Sequence, residues 1–386
     1  MPKLVRITTV PVSMMVLLKG QLKFMKQNGF DVTMISNEGP EVEQLKAQEN
    51  CPHIAITLTR KITPFTDLIS LIKLTLLLRK IKPDIVHTHT PKAGLIGMWA
   101  AKLAGVTIRL HTIAGLPWVE SKGMIRRLLI AVEKLTAFAA TNVFPNSFVQ
   151  RDFLLQNKIA KNKMKVIGNG SSNGIDTDYF STNLDIENQA KAIRIRERIH
   201  EEACVWIFVG RIVRDKGITE LVDAFLEIQQ QFPEDRLLLL GEQEPHLDPL
   251  DEKYVQLLTT HHAIISCGFQ KDIRPYLAAS QVLVFPSYRE GFPNVPMQAG
   301  AMGCALILSD INGCNEIVNH GKDGWLVSVK NVSALTAAMM EARNNPIKTR
   351  QFAETIKEKI VTGYAQSYLW NCMLQEYQQL LKTTKS

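Results

Sequence analysis

Val205-Trp-Ile-Phe-Val209 runs directly into Gly210-Arg-Ile-Val-Arg-Asp-Lys216-Gly217, after which helical spacing continues to Gln230. Five apolar residues without polar alternation read as a strand buried on both faces, the pattern of a parallel sheet. Gly210 permits a sharp exit from the strand, and the 3.6-residue period that follows supplies a crossover helix. The same alternation recurs downstream, with strands expected at Leu237–Leu240, Ile264–Ser266, Val282–Phe285, Ala305–Leu308 and Gly324–Val327. Helices are expected at Gly217–Gln230, Leu250–Thr260, Ile273–Ala279 and Pro296–Met302. Upstream, strands are expected at Leu4–Thr9, Asp31–Ile35, Asp84–Thr88, Ile108–Thr112, Val143–Pro145 and Lys165–Ile167, with helices at Gly20–Asn28, Thr66–Ile81, Ala93–Ala104 and Lys122–Ala139. Strand and helix alternate twice over, so the fold class is α/β with two doubly wound parallel sheets.

A chain of 386 residues exceeds what one core supports. The turn-rich passage from Gly168 through Gly174 to Asp178 has little periodicity and reads as a linker, which places the boundary near Phe180. The expected parts are residues 1–180, residues 181–364, and a closing helix in residues 365–386 that packs back on the first domain.

Residues 1–180 carry 24 Lys and Arg against 12 Asp and Glu, whereas residues 181–386 carry 21 against 25. A basic first half attracts an anionic membrane surface; nucleic acid is set aside because no reading helix or aromatic platform accompanies the charge. Leu68–Lys82 and Lys122–Ile130 mix apolar and basic residues as peripheral helices do. No leader series and no apolar run of spanning length is present, so a cytoplasmic protein on the inner face of a membrane is expected. The six cysteines are scattered without ligand spacing and read as reduced core thiols.

Two passages hold residues suited to chemistry. In the first, Gly210, Arg211 and Lys216 follow a strand, where a guanidinium fork and an ammonium can cradle a diphosphate. In the second, Phe285-Pro-Ser-Tyr-Arg-Glu290-Gly-Phe-Pro-Asn294-Val-Pro-Met-Gln298 leaves another strand and opens a helix. The N–H groups of Gly291, Phe292, Asn294 and Val295 would face an anion there, with Glu290 beside them. Gly168-x-Gly170-x-x-x-Gly174 is one residue too long for a dinucleotide fingerprint and lacks a following helix. Asp176-Thr-Asp178 reads as turn-forming carboxylates, and the three histidines His87, His89 and His111 lack zinc spacing, so no metal is expected.

These passages resemble the retaining, GT-B-fold glycosyltransferases of family 4. Gly210, Arg211, Lys216 and Gly217 match the family's phosphate-binding G-R-x-x-x-x-K-G, and Glu290 matches the first acid of its E-x-seven-E motif. Gln298 stands in place of the second acid. The resemblance implies two Rossmann-like domains facing a central cleft. It further implies a nucleotide-sugar co-substrate, a UDP-sugar, in place of any cofactor. Glu290 would face the donor sugar, Gln298 the ribose and Phe269 the base, with Gly241–Glu244 in a supporting role. His111 matches a histidine near the transferred sugar; Lys19, Gly20, His89 and Lys92 would line the acceptor side. The implied activity is transfer of a hexose or N-acetylhexosamine, with retention and without metal, to a saccharide acceptor carried on a polyprenyl diphosphate, in capsule, O-antigen or related polysaccharide assembly. A sugar-nucleotide epimerase of similar fold and a non-catalytic sugar-nucleotide sensor are the rival readings.

Overall fold

A computed structural model describes the chain except for residues 60–62, 117, 119, 120, 245, 247 and 386. It divides into two compact units, Met1–Gly174 with Gln366–Ser386, and Ile175–Ala365.

The first unit runs β1 Lys3–Ile7, α1 Pro11–Leu17, α2 Gln21–Gln27, β2 Asp31–Ser36, α3 Val42–Glu49, β3 His53–Ala55, α4 Pro64–Ile81, β4 Ile85–His89, α5 Pro91–Leu103, β5 Ile108–Ile113, α6 Gly123–Ala139, β6 Asn142–Pro145 and α7 Phe148–Gln156. The second runs α8 Leu184–Arg196, β7 Val205–Val209, α9 Ile218–Gln231, β8 Arg236–Leu240, α10 Glu252–Thr260, β9 Ile264–Gly268, α11 Arg274–Ala278, β10 Val282–Phe285, α12 Asn294–Ala301, β11 Ala305–Ser309, α13 Cys314–Ile317, β12 Trp325–Val327, α14 Val332–Asn344 and α15 Pro346–Gly363. The closing helix, α16 Gln366–Lys385, clusters with the first unit.

Each unit holds one six-stranded sheet, ordered β3-β2-β1-β4-β5-β6 and β12-β11-β10-β7-β8-β9. All neighbouring strands pair in parallel. Both orders are the doubly wound one, with a reversal of winding between β1 and β4 and between β7 and β10. The uninterrupted apolar run of β7 is buried throughout, as a central strand covered on both faces requires.

Two expectations are corrected. The sixth strand of the first sheet is the short β3, whereas Lys165–Ile167 forms no strand. Its neighbour Met164 makes one bridge to Val143, and left-handed turns at Gly168 and Gly170 end the pairing. The division between the units falls after Gly174 and not at Phe180, because Ile175 bridges Ala365 and packs in the second core. The closing helix begins at Gln366 and supplies Met373, Leu374 and Tyr377 to the buried cluster around Leu22, Phe30 and Phe144.

Candidate active site

The site in the second unit follows from its strand order. β7 and β10 are adjacent but wound in opposite directions, so the loops leaving their carboxyl ends diverge and open a crevice. Lys216 lies in a short 3-10 turn, Arg214–Lys216, after β7, and Glu290 lies in the loop after β10. Their side chains meet: Lys216 Nζ donates to Glu290 Oε1 at 2.6 Å, and both are largely buried. Gly217 makes the approach possible. It holds φ of +70°, and a Cβ there would sit 2.2 Å from the Pro286 carbonyl oxygen at the end of β10.

Two further contacts fix the Glu290 loop. Asn312 Nδ2 donates to the Gly291 carbonyl at 2.7 Å, and a Cβ on Gly313 would stand 2.6 Å from that same oxygen. Arg289 donates through Nε and Nη2 to Asp215 Oδ2 at 3.0 and 2.8 Å, and Tyr288 N donates to the Asp215 carbonyl. Helix α12 starts at Asn294 after Pro293 with no side-chain cap, so its first N–H groups have no side-chain acceptor of their own. Gly291, Phe292 and Val295 are half-buried and Asn294 is exposed; Phe292 leans on Tyr364 with ring centroids 5.7 Å apart. Gln298 is half-buried one turn further along α12.

Arg211 pairs with Glu244 at 3.4 Å, both side chains being more than a third exposed. Such an exposed pair holds its partner weakly, within about 1 kcal/mol, and leaves the guanidinium able to move to a stronger anion. The sequence pictures a positive pocket; the structure instead pairs each of Arg211, Arg214, Lys216 and Arg289 with a carboxylate.

Beside these loops, Ile212, Leu239, Gly241, Glu242, Gln243, Leu258, Ser266 and Gly268 line a cavity of about 410 Å³. Glycine at 241 lets the two turns approach here, since a Cβ on it would lie 1.8 Å from the Gly210 carbonyl oxygen. Phe269 does not line it and projects into solvent at 70% exposure. The turn at residues 241–243, given a supporting role from sequence, is part of the cavity's lining. Another cavity, about 400 Å³ with Arg79, Lys82 and Asp84 in its wall, lies at the amino ends of β4 and β5, the edge opposite to where open sheets bind ligands.

In the first unit the expected residues fare differently. His111, on β5, is 3% exposed. Its Nδ1 shares a hydrogen bond of 2.8 Å with Thr88 Oγ1, and its Nε2 lies 3.9 Å from the Glu133 carboxylate of α6. A Cβ on Gly94 would fall 2.4 Å from the His111 ring, so the helix start is built around it. Burial lowers the His111 pKa to about 4 and raises that of Glu133 to about 7, so near pH 6 the contact joins two neutral groups. Both ring nitrogens face protein, and His111 presents none to a sugar within this unit.

His89 is buried, with Nε2 2.9 Å from Arg6 Nη2. Lys92 donates to Asp67 Oδ1 at 2.8 Å and to the hydroxyls of Thr59 and Thr63, tying the start of α5 to that of α4. Gly20 takes φ of +80° under the indole of Trp370 from α16, and its N–H, with those of Leu22 and Lys23, donates to Glu49. The Lys19 carbonyl accepts from Asn173. Burial and internal partners thus give His89, Lys92 and Gly20 structural tasks in place of the open acceptor side expected of them. Sequence reasoning missed Glu49, Glu133 and Thr90. Thr90 is a non-glycine residue at φ of +71° in the β4–α5 turn, bonded to Thr9. A lone acid in a helical stretch gives no signal of this kind until burial is known.

Two family models cover most of the chain: Glycosyl transferases group 1 matches residues 203–345 and Glycosyl transferase 4-like matches residues 9–147. The chain is 31% identical over 373 residues to the capsular polysaccharide biosynthesis glycosyltransferase CapM of Staphylococcus aureus, covering 96% of this chain and 95% of that protein. It is 27% identical to the UDP-Gal:alpha-D-GlcNAc-diphosphoundecaprenol alpha-1,3-galactosyltransferase of Escherichia coli, with 93% of each covered. The structure of Anabaena Alr3699/HepE in complex with UDP superposes with a TM-score of 0.83 at 18% identity, covering 98% of this chain and all of that one.

Proposed function

The chain belongs to the family 4 glycosyltransferases of GT-B fold, and from that premise we propose that it moves a hexose or N-acetylhexosamine from a UDP-sugar to a polyprenyl-diphosphate-linked saccharide in bacterial polysaccharide assembly. The observation that carries the reading is the contact of Lys216 Nζ with Glu290 Oε1 at 2.6 Å, at the point where the winding of the second sheet reverses.

A diphosphate entering that crevice competes with Glu290 for the ammonium. Lys216 swings to the phosphate, Arg211 leaves Glu244 to join it, and the uncapped start of α12 adds N–H groups and the positive end of a helix dipole. Glu290, released, accepts from a hydroxyl of the donor sugar. Positive charge placed where the leaving phosphate gains negative charge lowers the barrier, by about 3–4 kcal/mol for one well-placed donor in known cases. These groups supply what a divalent ion supplies elsewhere, and the reaction proceeds without metal. The cavity behind Gly241 accommodates the base, and Gln298 donates to and accepts from the ribose hydroxyls.

The acceptor class is favoured by the E. coli relative, whose name specifies a diphosphoundecaprenol-linked acceptor and an alpha linkage. An alpha-linked product from an alpha-configured nucleotide sugar retains configuration, and retention is the proposed course here. The test is incubation with a panel of UDP-sugars and lipid-linked saccharides, with product mass and anomeric configuration read out. An extended acceptor of retained configuration, undiminished by chelator, is expected. Interconversion of the donor without acceptor identifies an epimerase, and binding without turnover a sensor; either overturns the proposal.

A further inference from the structure

The turn after β7 and the loop after β10 meet through two ion pairs that run in step. Asp215 and Lys216 are consecutive in the turn, Arg289 and Glu290 in the loop, so an acid and a base face a base and an acid. The inner pair, Lys216 with Glu290, is largely buried. The outer pair joins Asp215 Oδ2 to Nε and Nη2 of Arg289, whose side chain is half exposed. Tyr288, one residue earlier, sets the register. Its N–H donates to the Asp215 carbonyl at 2.9 Å, and its hydroxyl donates at 2.6 Å to Glu220 Oε1 in the first turn of α9.

Asp215 is held by its own backbone as well. Its N–H donates to Asp248 Oδ2 at 2.7 Å, in the segment between β8 and α10, while its carbonyl takes the Tyr288 N–H. The carboxylate therefore projects from a fixed point. One of its oxygens takes both Arg289 N–H groups; the other, Oδ1, is buried and has no hydrogen-bond partner among the described residues. Two donors on one oxygen fix the plane of a guanidinium more closely than a single bond does.

The two pairs meet different fates when a diphosphate enters. In the proposed reaction Lys216 leaves Glu290 for the phosphate, so the inner pair opens when Glu290 has to meet the sugar. The loop then depends on contacts that do not involve Lys216. We propose that Asp215 and Arg289 are positioning residues, whose pair keeps the Glu290 loop in register after the Lys216 contact is given up and so aims the carboxylate at the donor sugar. A pair with a half-exposed arginine contributes little to folding stability. Its value lies in orientation, because a misplacement of about 1 Å at a reacting centre costs on the order of 10²-fold in rate. The inference rests on the transferase reading and gives a task to two residues that reading leaves idle.

The test is steady-state transfer by the whole protein from a UDP-sugar to a lipid-linked saccharide, for Asp215→Asn, Arg289→Ala and Arg289→Lys, each alone and combined with Glu290→Gln. Asp215→Asn and Arg289→Ala should lower kcat about tenfold or more and move the donor KM by about threefold at most. Arg289→Lys should stay within about threefold of the parental kcat, since an ammonium still pairs with Asp215. In the Glu290→Gln background the same changes should shift kcat by about twofold at most, because they act through that carboxylate. Thermal midpoints matching the parent separate lost positioning from lost fold. Losses that multiply with that of Glu290→Gln, as a merely structural pair gives, overturn the proposal, and so does parental kcat in Asp215→Asn and Arg289→Ala. A donor KM raised in Arg289→Ala but not in Asp215→Asn makes Arg289 a phosphate ligand and likewise overturns it. A parent protein that transfers no sugar fails the transferase reading and this inference with it; a parent that transfers, with any of those overturning results in the variants, fails the inference alone.

Discussion

At the scale of single residues the site turns on contacts that leave no slack. Glu290→Gln removes a carboxylate that both meets Lys216 and faces the sugar in the proposed reaction, and kcat should fall about 10²–10³-fold with little change in thermal midpoint. Near-parental turnover of that variant in the glycosyl-transfer assay would exclude Glu290 from the chemistry. Arg211→Ala should act more gently, raising KM for the donor, because its present partner is an exposed carboxylate. Gly217→Ala tests the geometry. The new methyl would lie 2.2 Å from the Pro286 carbonyl in a backbone conformation that disfavours side chains. Urea unfolding should show a loss of about 2 kcal/mol or more, together with weakened donor binding.

At the scale of elements, the first sheet has packed an unusual set of polar groups into its carboxyl half. Arg6 on β1 donates to Tyr377 Oη of α16 at 2.7 Å and to Gln21 Oε1 of α2 at 2.7 Å, while His87 on β4 reaches the same Tyr377 oxygen at 2.6 Å. Tyr377→Phe leaves two buried groups short of a partner and should cost about 1–3 kcal/mol by chemical denaturation. Burial also holds His87 and His89 well below the usual imidazole pKa and His111 at about 4. Below pH 6.5 the unfolded chain takes up protons that these folded imidazoles refuse, so their contribution is complete above pH 6.5 and is lost as pH falls. Glu133, at about 7, has the opposite sign: the unfolded carboxyl ionises above 4.5 while the folded one stays protonated, and stability falls as pH rises from 4.5 to 7. Between pH 4.5 and 6.5 it offsets one imidazole. Urea titrations across this range should show stability falling with acid, driven by the remaining imidazoles. Glu133→Gln should steepen that fall, and an unchanged slope would contradict the assigned burial.

At the scale of the whole molecule, the chain leaves the first unit after Gly174 and returns at Gln366 to complete its core. Removing residues 366–386 strips Met373, Leu374 and Tyr377 from the cluster around Phe30 and Phe144. The truncated chain should be insoluble or unfold many degrees lower by circular dichroism, whereas a free-standing second unit of residues 175–365 should keep a cooperative transition. By itself the sequence determined the two parallel α/β sheets, because buried strands in such sheets are continuous apolar runs and their period is local. It also determined the loops of Lys216 and Glu290, since glycines and charged residues beside strand ends announce themselves along the chain. The three-residue β3 escaped it because so short a stretch carries no period, and Lys165–Ile167 misled it because an apolar pair cannot reveal that glycine turns will end its pairing. Only tertiary structure decided that Lys216 and Glu290 touch, that His89 and Lys92 are consumed by internal partners, that Gly241 and not Phe269 lines the cavity, and that α4 and α6 leave some of their apolar side chains exposed while burying others. Those outcomes depend on which strands lie side by side and which helix face meets the sheet, and both are fixed by contacts between residues far apart in sequence.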